Sequence, residues 1–251
     1  MLKTLGIVEV RPRESGGFRT QTLGDVAVRK LGAQSLLEWI VRRATESQRL
    51  TGVVVLTPAG PETPRISAIV PPDIPVVIRS DADQLSRFAG VLESYSVDAV
   101  VRIRDDSPFL DPVLIDRLIS TADAHPNCDY ISYCSRAAQP SILSSVGVFA
   151  EWFRVGAIRR ADRRATDPAD RADVTRYIVS HPEEFNLRLI PAPVQLDRDD
   201  VRLQVNFDED WENAQTIFDA LGPEGLEWQR IAGFLDQQPR LREQMAALNR
   251  R

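Results

Sequence analysis

The fold is decided by residues 100–112, which read VVRIRDDSPFLDP. A β-branched apolar run ends abruptly in Asp105 and Asp106, and a proline, a third acid and a second proline follow. This pattern predicts a buried strand whose carboxyl end delivers carboxylates into a cleft, because ligands of open α/β sheets bind outside the carboxyl ends of the strands. Asp111 and Pro112 also fit the cap and first position of the next helix. We therefore expect the chemistry mainly at Asp105 and Asp106.

Length and charge exclude several classes of protein. The chain has 251 residues and a net charge of −5, with arginines and acids mixed along it. Such a length can bury a large core without a disulfide or a structural metal, and we expect one domain over residues 1–251. The mixed charge does not favour nucleic-acid binding. The absence of an apolar run of membrane length predicts a cytoplasmic protein that makes no membrane contact.

Strand-like and helix-like segments alternate along the first half of the chain. This alternation predicts βαβ units and an α/β fold with a mixed, mostly parallel sheet flanked by helices. Three strands are apolar on both faces, so we expect 4–10 to be central, with 53–57 and 100–104 near it. The remaining early elements are a strand at 75–79 and helices at 35–43 and 83–95.

After residue 127 strand-like and helix-like segments no longer alternate regularly. Residues 166–171 are interpreted as a loop. Strands are predicted at 130–133, 146–149, 187–190 and 202–205, and helices at 151–164, 173–180, 210–221, 228–235 and 238–249. Any homodimer contact is expected from residues 130–164, with the apolar run 144–153 as the candidate surface.

Six segments, in the same order along the chain, resemble the cytidylyltransferases of spore-coat polysaccharide biosynthesis, relatives of the CMP-sugar synthetases. Residues 101–112 resemble the family string VRITADCPLIDP, 166–185 resemble TDPYDREHVTPYIYRHPERF, and 205–210 resemble VDTPED. The other three matches are 31–39 with LGGKPLLEW, 80–88 with GSEDDVLDRF and 235–241 with LLDEHPEL. The resemblance implies the Rossmann-like nucleotide-diphospho-sugar transferase fold, which is also the glycosyltransferase A fold.

The resemblance also implies an activity. A family member transfers CMP from CTP to a sugar or sugar-like acceptor and releases pyrophosphate, with help from Mg²⁺. By resemblance Asp106 is a catalytic residue and the first metal ligand. The second ligand falls at Asn206, where the family has Asp; an amide also offers an oxygen to this hard cation. As an acid at the rim of a cleft, Asp106 is expected to contribute little packing, so Asp106→Ala is expected to leave the fold intact.

The family's triphosphate loop, QARxxSxRLPGK, changes most in this chain. Arg11 is retained and is the second catalytic candidate, but PGK is absent, and residues 24–26 read GDV near its place. Glu9 stands where the family has Gln, and an extra carboxylate near a triphosphate is unfavourable unless a cation offsets it. The candidates for nucleotide binding are Glu9, Val10, Arg13, Ser15, Arg19, Ser80, Asp83 and Asp105.

Alternative interpretations of the function stay open. The Asp106 segment and Asn206 favour an active transferase that binds CTP or another nucleotide. The lost PGK and the acceptor positions Ser145, Gly147 and Asp173, which differ from the family, favour a binding or scaffold subunit without catalysis. A glycosyltransferase of the same fold is a third interpretation, for which residues 105–106 supply only part of an Asp-x-Asp motif.

Several candidates also have a structural alternative. Helix capping alone would explain Ser80 and Asp83, and a strand-end cap would explain Asn206. Arg171 fits an ion pair with Asp167 or Asp170.

Overall fold

The computed structural model of the chain describes residues 2–11 and 27–250. Within these residues, seven strands form one mixed sheet, and two short strands form a separate antiparallel hairpin. The sheet strands are β1 Thr4–Glu9, β4 Gly52–Pro58, β5 Val76–Arg79, β6 Ala99–Arg104, β7 Tyr130–Cys134, β8 Glu151–Arg154 and β9 Leu187–Pro191; the hairpin is β2 Lys30–Leu31 and β3 Gln34–Ser35.

The spatial order of the sheet is β5-β4-β1-β6-β8-β7-β9. Strand β8 pairs antiparallel with both β6 and β7, whereas the other neighbouring pairs are parallel. The strand β1 lies between β4 and β6, so the predicted central position of the first strand is confirmed. The carboxyl ends of β1 and β6 therefore meet at one edge of the sheet, and the start of β8 reaches the same edge.

The described helices cover both faces of the sheet. They are α1 Leu36–Thr45, α2 Thr63–Ile69, α3 Gln84–Val91, α4 Pro112–Ala124, α5 Val155–Arg164, α6 Pro168–Arg171, α7 Arg176–Ser180, α8 Asp208–Leu221, α9 Trp228–Asp236 and α10 Pro239–Asn249, with 3₁₀ turns at Ser141–Leu143 and Pro223–Gly225.

Two apolar clusters fill the space between the sheet and these helices. Alternate side chains of each central strand point to opposite faces, so Val101 joins one cluster and Val100 the other. Helices α1, α4, α8 and α9 contribute to the cluster of Val101, and helices α3, α5 and α7 contribute to the cluster of Val100. Burial on both faces explains why these strands read as continuous apolar runs.

The helix that follows the fold-deciding stretch begins as the sequence predicts. Asp111 caps α4, because its Oδ1 accepts hydrogen bonds from the backbone N–H groups of Val113 at 2.9 Å and Leu114 at 3.3 Å. Pro112 occupies the first helical position, where it sacrifices no hydrogen bond. The other oxygen, Oδ2, accepts from the N–H of Trp228 at 3.0 Å, so the same acid also fixes the start of α9.

Four of the later predictions are wrong. Residues 151–154 form β8 rather than a first helical turn, and a short helix, α6, lies inside the predicted loop 166–171. The segments 146–149 and 202–205 are irregular. They lie against each other instead of joining the sheet: the N–H groups of Leu203 and Gln204 donate to the carbonyl oxygen of Ser145, just before the first segment, and a Cβ on Gly147 would lie 2.5 Å from the nitrogen of Gln204.

The candidate dimer surface is also corrected. The apolar side chains of the run 144–153 are buried within the chain itself, so they are not available to a second copy. In the wider segment 130–164, Leu143 is half exposed. A homodimer stays a prediction.

Candidate functional site

The candidate site lies where β1 and β6 end side by side. The register pairs Glu9 of β1 with Arg104 of β6, so the residues that follow each strand are neighbours. Val10 and Arg11 continue from β1, and Asp105 and Asp106 continue from β6. The structure thus brings together two groups of candidates that are distant in the sequence.

Asp106 is the centre of this group and is fully buried. Its Oδ2 accepts hydrogen bonds from Nη2 of Arg11 and from Nη2 of Arg104, each at 2.7 Å. The hydroxyl of Ser107 donates to Oδ1 at 3.1 Å. The expectation that Asp106 is a rim acid of little structural weight is therefore wrong, because its removal would leave two guanidinium groups without this carboxylate.

Asp105 adds a second buried carboxylate to the same arginine. Its oxygens lie 3.4 Å from Nη2 of Arg11 and 3.5 Å from the backbone nitrogen of Arg11. Burial lowers the pKa of the Arg11 guanidinium, but Asp106 and Asp105 outweigh this effect and raise that pKa above its ordinary value. Arg11 is thus held as a cation beside both acids.

The two arginines retain unused donors. The Nε–H groups of Arg11 and Arg104 are buried and have no hydrogen-bond partner in the described part of the chain. Arg104 is anchored on its other side, because its Nη1 donates to the carbonyl oxygen of Ile142 at 2.9 Å. Buried donors without an acceptor are uncommon in folded proteins, and an anion is one group that would supply the missing acceptors.

Asn206 reaches the site through its neighbour in the chain. The backbone N–H of Val205 donates to the carbonyl oxygen of Asp106 at 2.8 Å. Asp210, at the start of α8, accepts from the N–H of Asn206 at 2.9 Å, and the Asn206 amide donates to Oε1 of Gln204 at 3.1 Å. The half-buried Asn206 therefore lies next to the strand end that carries Asp106, and its role as a metal ligand stays a prediction.

The donor chemistry of this pair fits a hard divalent cation. Asp106 and Asn206 offer a carboxylate and an amide oxygen, and Mg²⁺ commonly takes one or two protein oxygens and completes its shell with phosphate oxygens and water. No cluster of three or more His, Cys, Asp or Glu side chains within 2–11 and 27–250 is arranged to hold a metal by itself. The protein part of such a site is therefore incomplete without a ligand.

A buried ionic network, which the sequence analysis missed, lies beside these residues. Arg102 of β6 is 1% exposed, and its Nε donates to Oε2 of Glu9 at 2.6 Å. Its Nη1 donates to Glu151 Oε1 and to Thr175 Oγ1, each at 2.9 Å, and its Nη2 lies 3.3 Å from Asp173 Oδ2. The signal was present in the sequence, since two arginines interrupt an otherwise apolar strand at 99–104.

The network shifts the titration of its members. Burial raises the pKa of Glu151, although Arg102 acts in the opposite direction. Burial, together with the neighbouring Glu151, also raises the pKa of Tyr130 well above its ordinary value; the Tyr130 hydroxyl donates to Glu151 Oε2 at 2.7 Å. For Asp173, burial raises the pKa, but the attraction of Arg102 and the hydrogen bonds outweigh it and the pKa is lowered. Asp173 is the more exposed member, so it faces the solvent end of the network.

Two further nucleotide candidates, Ser80 and Asp83, follow β5 in the chain. Asp83 caps α3 by accepting from the N–H of Ser86 at 2.8 Å, which agrees with the capping interpretation. Arg171 makes an ion pair as expected, but its partners are Asp83 at 2.8 Å and Asp162 at 2.7 Å rather than Asp167 or Asp170.

Ser80 is exposed just after β5, and its contact with a nucleotide stays a prediction. The candidates Arg13, Ser15 and Arg19, and the altered 24–26 segment, lie outside the described residues. Among the helices that are described, none combines the length and the apolar character needed to cross a bilayer.

Comparison with known proteins assigns the chain to a family. The sequence model of the cytidylyltransferase family matches residues 25–250. An uncharacterized protein of Methanocaldococcus jannaschii is 28% identical over 245 residues, which cover 96% of this chain and 93% of that protein. The spore coat polysaccharide biosynthesis protein SpsF of Bacillus subtilis is 26% identical over 201 residues, 78% of this chain and 80% of that protein.

Solved structures agree on the fold. A cytidylyltransferase from Leptospira borgpetersenii superimposes with a TM-score of 0.77 at 19% identity, over 95% of each chain. The CMP:2-keto-3-deoxy-manno-octonic acid synthetase complexed with CTP gives 0.64 at 12% identity, over 87% of this chain and 99% of that one. A Mycobacterium tuberculosis protein complexed with manganese gives 0.59 at 14% identity, over 85% of this chain and 98% of that one. Since the family model covers most of its length, this chain belongs to the cytidylyltransferase family.

Proposed function

We propose that this chain transfers CMP from CTP to a sugar or sugar-like acceptor and releases pyrophosphate. The observation that supports this most directly is the set of buried groups at the ends of β1 and β6. Arg11 and Arg104 share one oxygen of Asp106, and their buried Nε–H groups have no hydrogen-bond partner within residues 2–11 and 27–250. Guanidinium groups with free donors are suited to phosphate oxygens, so a triphosphate is the ligand that this edge of the sheet fits best.

Each residue then has a role in binding. Arg11 is the catalytic residue that binds the phosphates and offsets the charge that develops on them. Glu9 is already paired with Arg102, so its extra carboxylate is offset within the protein instead of facing the triphosphate alone. Backbone groups at Val10, and the side chains of Arg13, Ser15, Arg19, Ser80, Asp83 and Asp105, stay proposed contacts of the nucleotide.

Mg²⁺ is the proposed cofactor, and Asp106 and Asn206 are its proposed protein ligands. Their oxygen donors and their adjacency at Val205 support this assignment. When bound, the cation would neutralise phosphate charge and favour departure of pyrophosphate. The manganese complex of a protein of the same fold supports a divalent cation in general.

The acceptor is proposed to bind on the face of the sheet that carries Arg102. Asp173 and Arg104 are the partly exposed charges there. The alternative is a scaffold subunit that does not catalyse transfer. The internal pairing of Asp106 favours this alternative, since the carboxylate is satisfied without any ligand.

The decisive experiment is titration calorimetry of the whole chain with CTP, UTP, ATP and GTP, each with and without Mg²⁺. A pyrophosphate-release assay with CTP and a panel of sugar acids, sugar phosphates and amino sugars completes it. Binding of CTP in preference to the purine nucleotides, with release of pyrophosphate for at least one acceptor class, supports transfer. If no nucleotide binds under either condition, the transferase proposal fails and the scaffold role replaces it.

A further inference from the structure

We infer that the acceptor carries a protonated amino group, and that this group binds between Glu9 and Asp173, beside Arg102. The inference rests on the proposed function, because it names the class of acceptor for the same site. It distinguishes amino sugars from sugar acids and sugar phosphates, a choice that the proposed transfer reaction leaves open. The three residues come from β1, from the connection between α6 and α7, and from β6.

Two carboxylates share one edge of the Arg102 guanidinium group. Its Nε donates to Oε2 of Glu9 at 2.6 Å, and its Nη2 donates to Oδ2 of Asp173 at 3.3 Å. The Nε–H and one Nη2–H point outward from the same edge of this planar group, where a single carboxylate often accepts both hydrogen bonds. Glu9 and Asp173 therefore lie side by side along that edge.

The other side of the same guanidinium group also faces an acid. Its Nη1 donates to Oε1 of Glu151 at 2.9 Å, so one arginine pairs with three carboxyl groups. Burial raises the pKa of Glu151, whereas the pKa of Asp173 is lowered. Even with Glu151 neutral, Glu9 and Asp173 together carry more negative charge than Arg102 offsets.

Two further arginines lie near enough to act on these acids. Arg104 lowers the pKa of Asp173, and Glu9 raises the pKa of Arg11. Both arginines, however, donate to Asp106 at 2.7 Å. They are also the cations that the proposed function assigns to the triphosphate. Their charge is therefore directed to anions other than Glu9 and Asp173.

Glu9 provides a second and independent sign of a ligand. Its side chain is 1% exposed, and within residues 2–11 and 27–250 its Oε1 has no hydrogen-bond partner. A buried carboxylate oxygen that lacks a donor is uncommon in folded proteins. Asp173, with 30% of its side chain exposed, lies at the solvent end of the same pair.

An ammonium group matches this arrangement better than the other groups of a sugar. It brings a positive charge and three donors, so it can bond to Glu9 and Asp173 at once. A hydroxyl brings no charge, and a carboxylate or a phosphate would add negative charge beside these acids. A metal ion is less favoured, because the acids of this network are not arranged in the described structure to hold one together.

The experiment is titration calorimetry of the whole chain at pH 7, with and without CTP and Mg²⁺. The probes are glucosamine, galactosamine and mannosamine, together with the N-acetyl derivative, the parent hexose and the uronic acid of each. We expect at least one hexosamine to bind about tenfold or more tightly than its three counterparts, because only the hexosamine carries an ammonium group. Pyrophosphate release is measured with the same probes.

Two variants connect this preference to the carboxylates. Asp173→Asn removes the charge and keeps an oxygen that can accept from the N–H of Thr175, as Oδ1 does at 2.8 Å. In Asp173→Asn and in Glu9→Gln, the affinity ratio of hexosamine to N-acetyl derivative should fall about tenfold. A general loosening of the fold would lower both affinities and leave this ratio unchanged. Asp170→Asn is the matched control, because Asp170 pairs with Arg176 at 3.2 Å and should keep the wild-type ratio.

Three results overturn the inference. The first is wild type that binds no hexosamine under either condition, and the second is a uronic acid, hexose or N-acetyl derivative that binds as tightly as the hexosamine. The third is an unchanged ratio in whichever of Asp173→Asn and Glu9→Gln keeps the wild-type thermal unfolding profile. Failure of the transferase proposal would differ from all three: the hexosamine preference would be present, but CTP would not bind or no pyrophosphate would be released.

Discussion

Nε of Arg102 donates to Oε2 of Glu9 over 2.6 Å, from within β6 to the last residue of β1, and each side chain is 1% exposed. The pair crosses the two central strands just below the proposed triphosphate site. An ion pair buried to this degree is stabilising only while every member is present, since each lone charge would remain in a region without water. Removal of either side chain of this pair is therefore expected to destabilise the two central strands.

Arg102→Met is expected to lower the free energy of unfolding by about 3–5 kcal/mol, because Glu9 and Glu151 would each remain buried without their cation. Urea unfolding monitored by circular dichroism measures the change. Arg49→Met, which removes a partly exposed pair, should cost less than about 1 kcal/mol. A loss of the same small size for Arg102→Met would contradict the stabilising role of this buried ion pair.

Asp106→Asn is expected to abolish Mg²⁺-dependent CTP binding and to lower the free energy of unfolding by about 1–3 kcal/mol, because two guanidinium groups lose a charged acceptor. Calorimetric titration and urea unfolding measure the two effects. Asp123→Asn is the control, since Asp123 pairs with Arg49 at the surface. Unchanged CTP binding in Asp106→Asn would reject Asp106 as a metal ligand while leaving the fold assignment untouched.

Asn206→Asp should tighten binding of the divalent cation in the presence of CTP by about tenfold, because a second carboxylate adds a negative charge to the ligand set. Mn²⁺ titration of the CTP complex measures the change. Asn206→Ala removes the amide oxygen and should weaken binding of the cation in the same titration. If the variants Asn206→Asp and Asn206→Ala bind the ion with equal affinity, the side chain of residue 206 does not contact the ion.

Gly147→Ala should disrupt the segment that carries Asn206. Gly147 has φ of +70°, and a Cβ there would lie 2.5 Å from the backbone nitrogen of Gln204. We expect a loss of about 1–3 kcal/mol of stability together with weaker CTP binding. Gly233→Ala is the matched control: it lies within α9 with open space around its Cβ, so it should stabilise by about 0.5–1 kcal/mol. Equal effects of the two substitutions would contradict the close approach at Gly147.

The ion pair of Asp200 makes stability depend on pH. Hydrogen bonds from Arg198, at 2.9 and 3.0 Å, hold the pKa of Asp200 below its ordinary value of 3.8. Because the folded pKa is the lower one, the stabilisation is complete above the unfolded pKa and is lost as the pH falls through the folded value. The difference in unfolding free energy between wild type and Asp200→Asn should be about 1 kcal/mol or less at neutral pH and should shrink towards zero from about pH 5 to about pH 2.

Arg198→Met should also lose stability at neutral pH, but it removes the pair with Asp236 as well and leaves Asp200 paired with Arg242. Chemical denaturation at several pH values measures both differences. A difference that grows on acidification would reject the assigned direction.

The strands of the first half of the chain were predictable, whereas the later irregular segments were not. Runs such as 52–57 are apolar on both faces, and only a central position in a parallel sheet buries both. Residues 151–154 were misread because a strand of only four residues joins α5 without a break. Residues 146–149 were misread because a glycine with positive φ leaves no trace in an otherwise β-prone string.

The site was predictable to the extent that its residues end strands. Asp106 and Arg11 follow β6 and β1, two parallel strands whose ends lie side by side, whereas Asn206 follows an irregular segment. The ion-pair partners of the two arginines were not predictable. Nothing in the sequence indicates that Arg104 pairs with Asp106, or that Arg102 pairs with both Glu9 and Glu151. Such contacts depend on the register between strands that are far apart in the chain.

The reversed direction of β8 has a practical consequence for handling the protein. Because β8 runs antiparallel to its neighbours, its first residues lie at the edge of the sheet where the neighbouring strands end. The opposite edge is then built from the connections at 46–51, 70–75, 92–98 and 125–129, which lead into parallel strands. A tether attached there would immobilise the molecule with the proposed triphosphate site facing the solution.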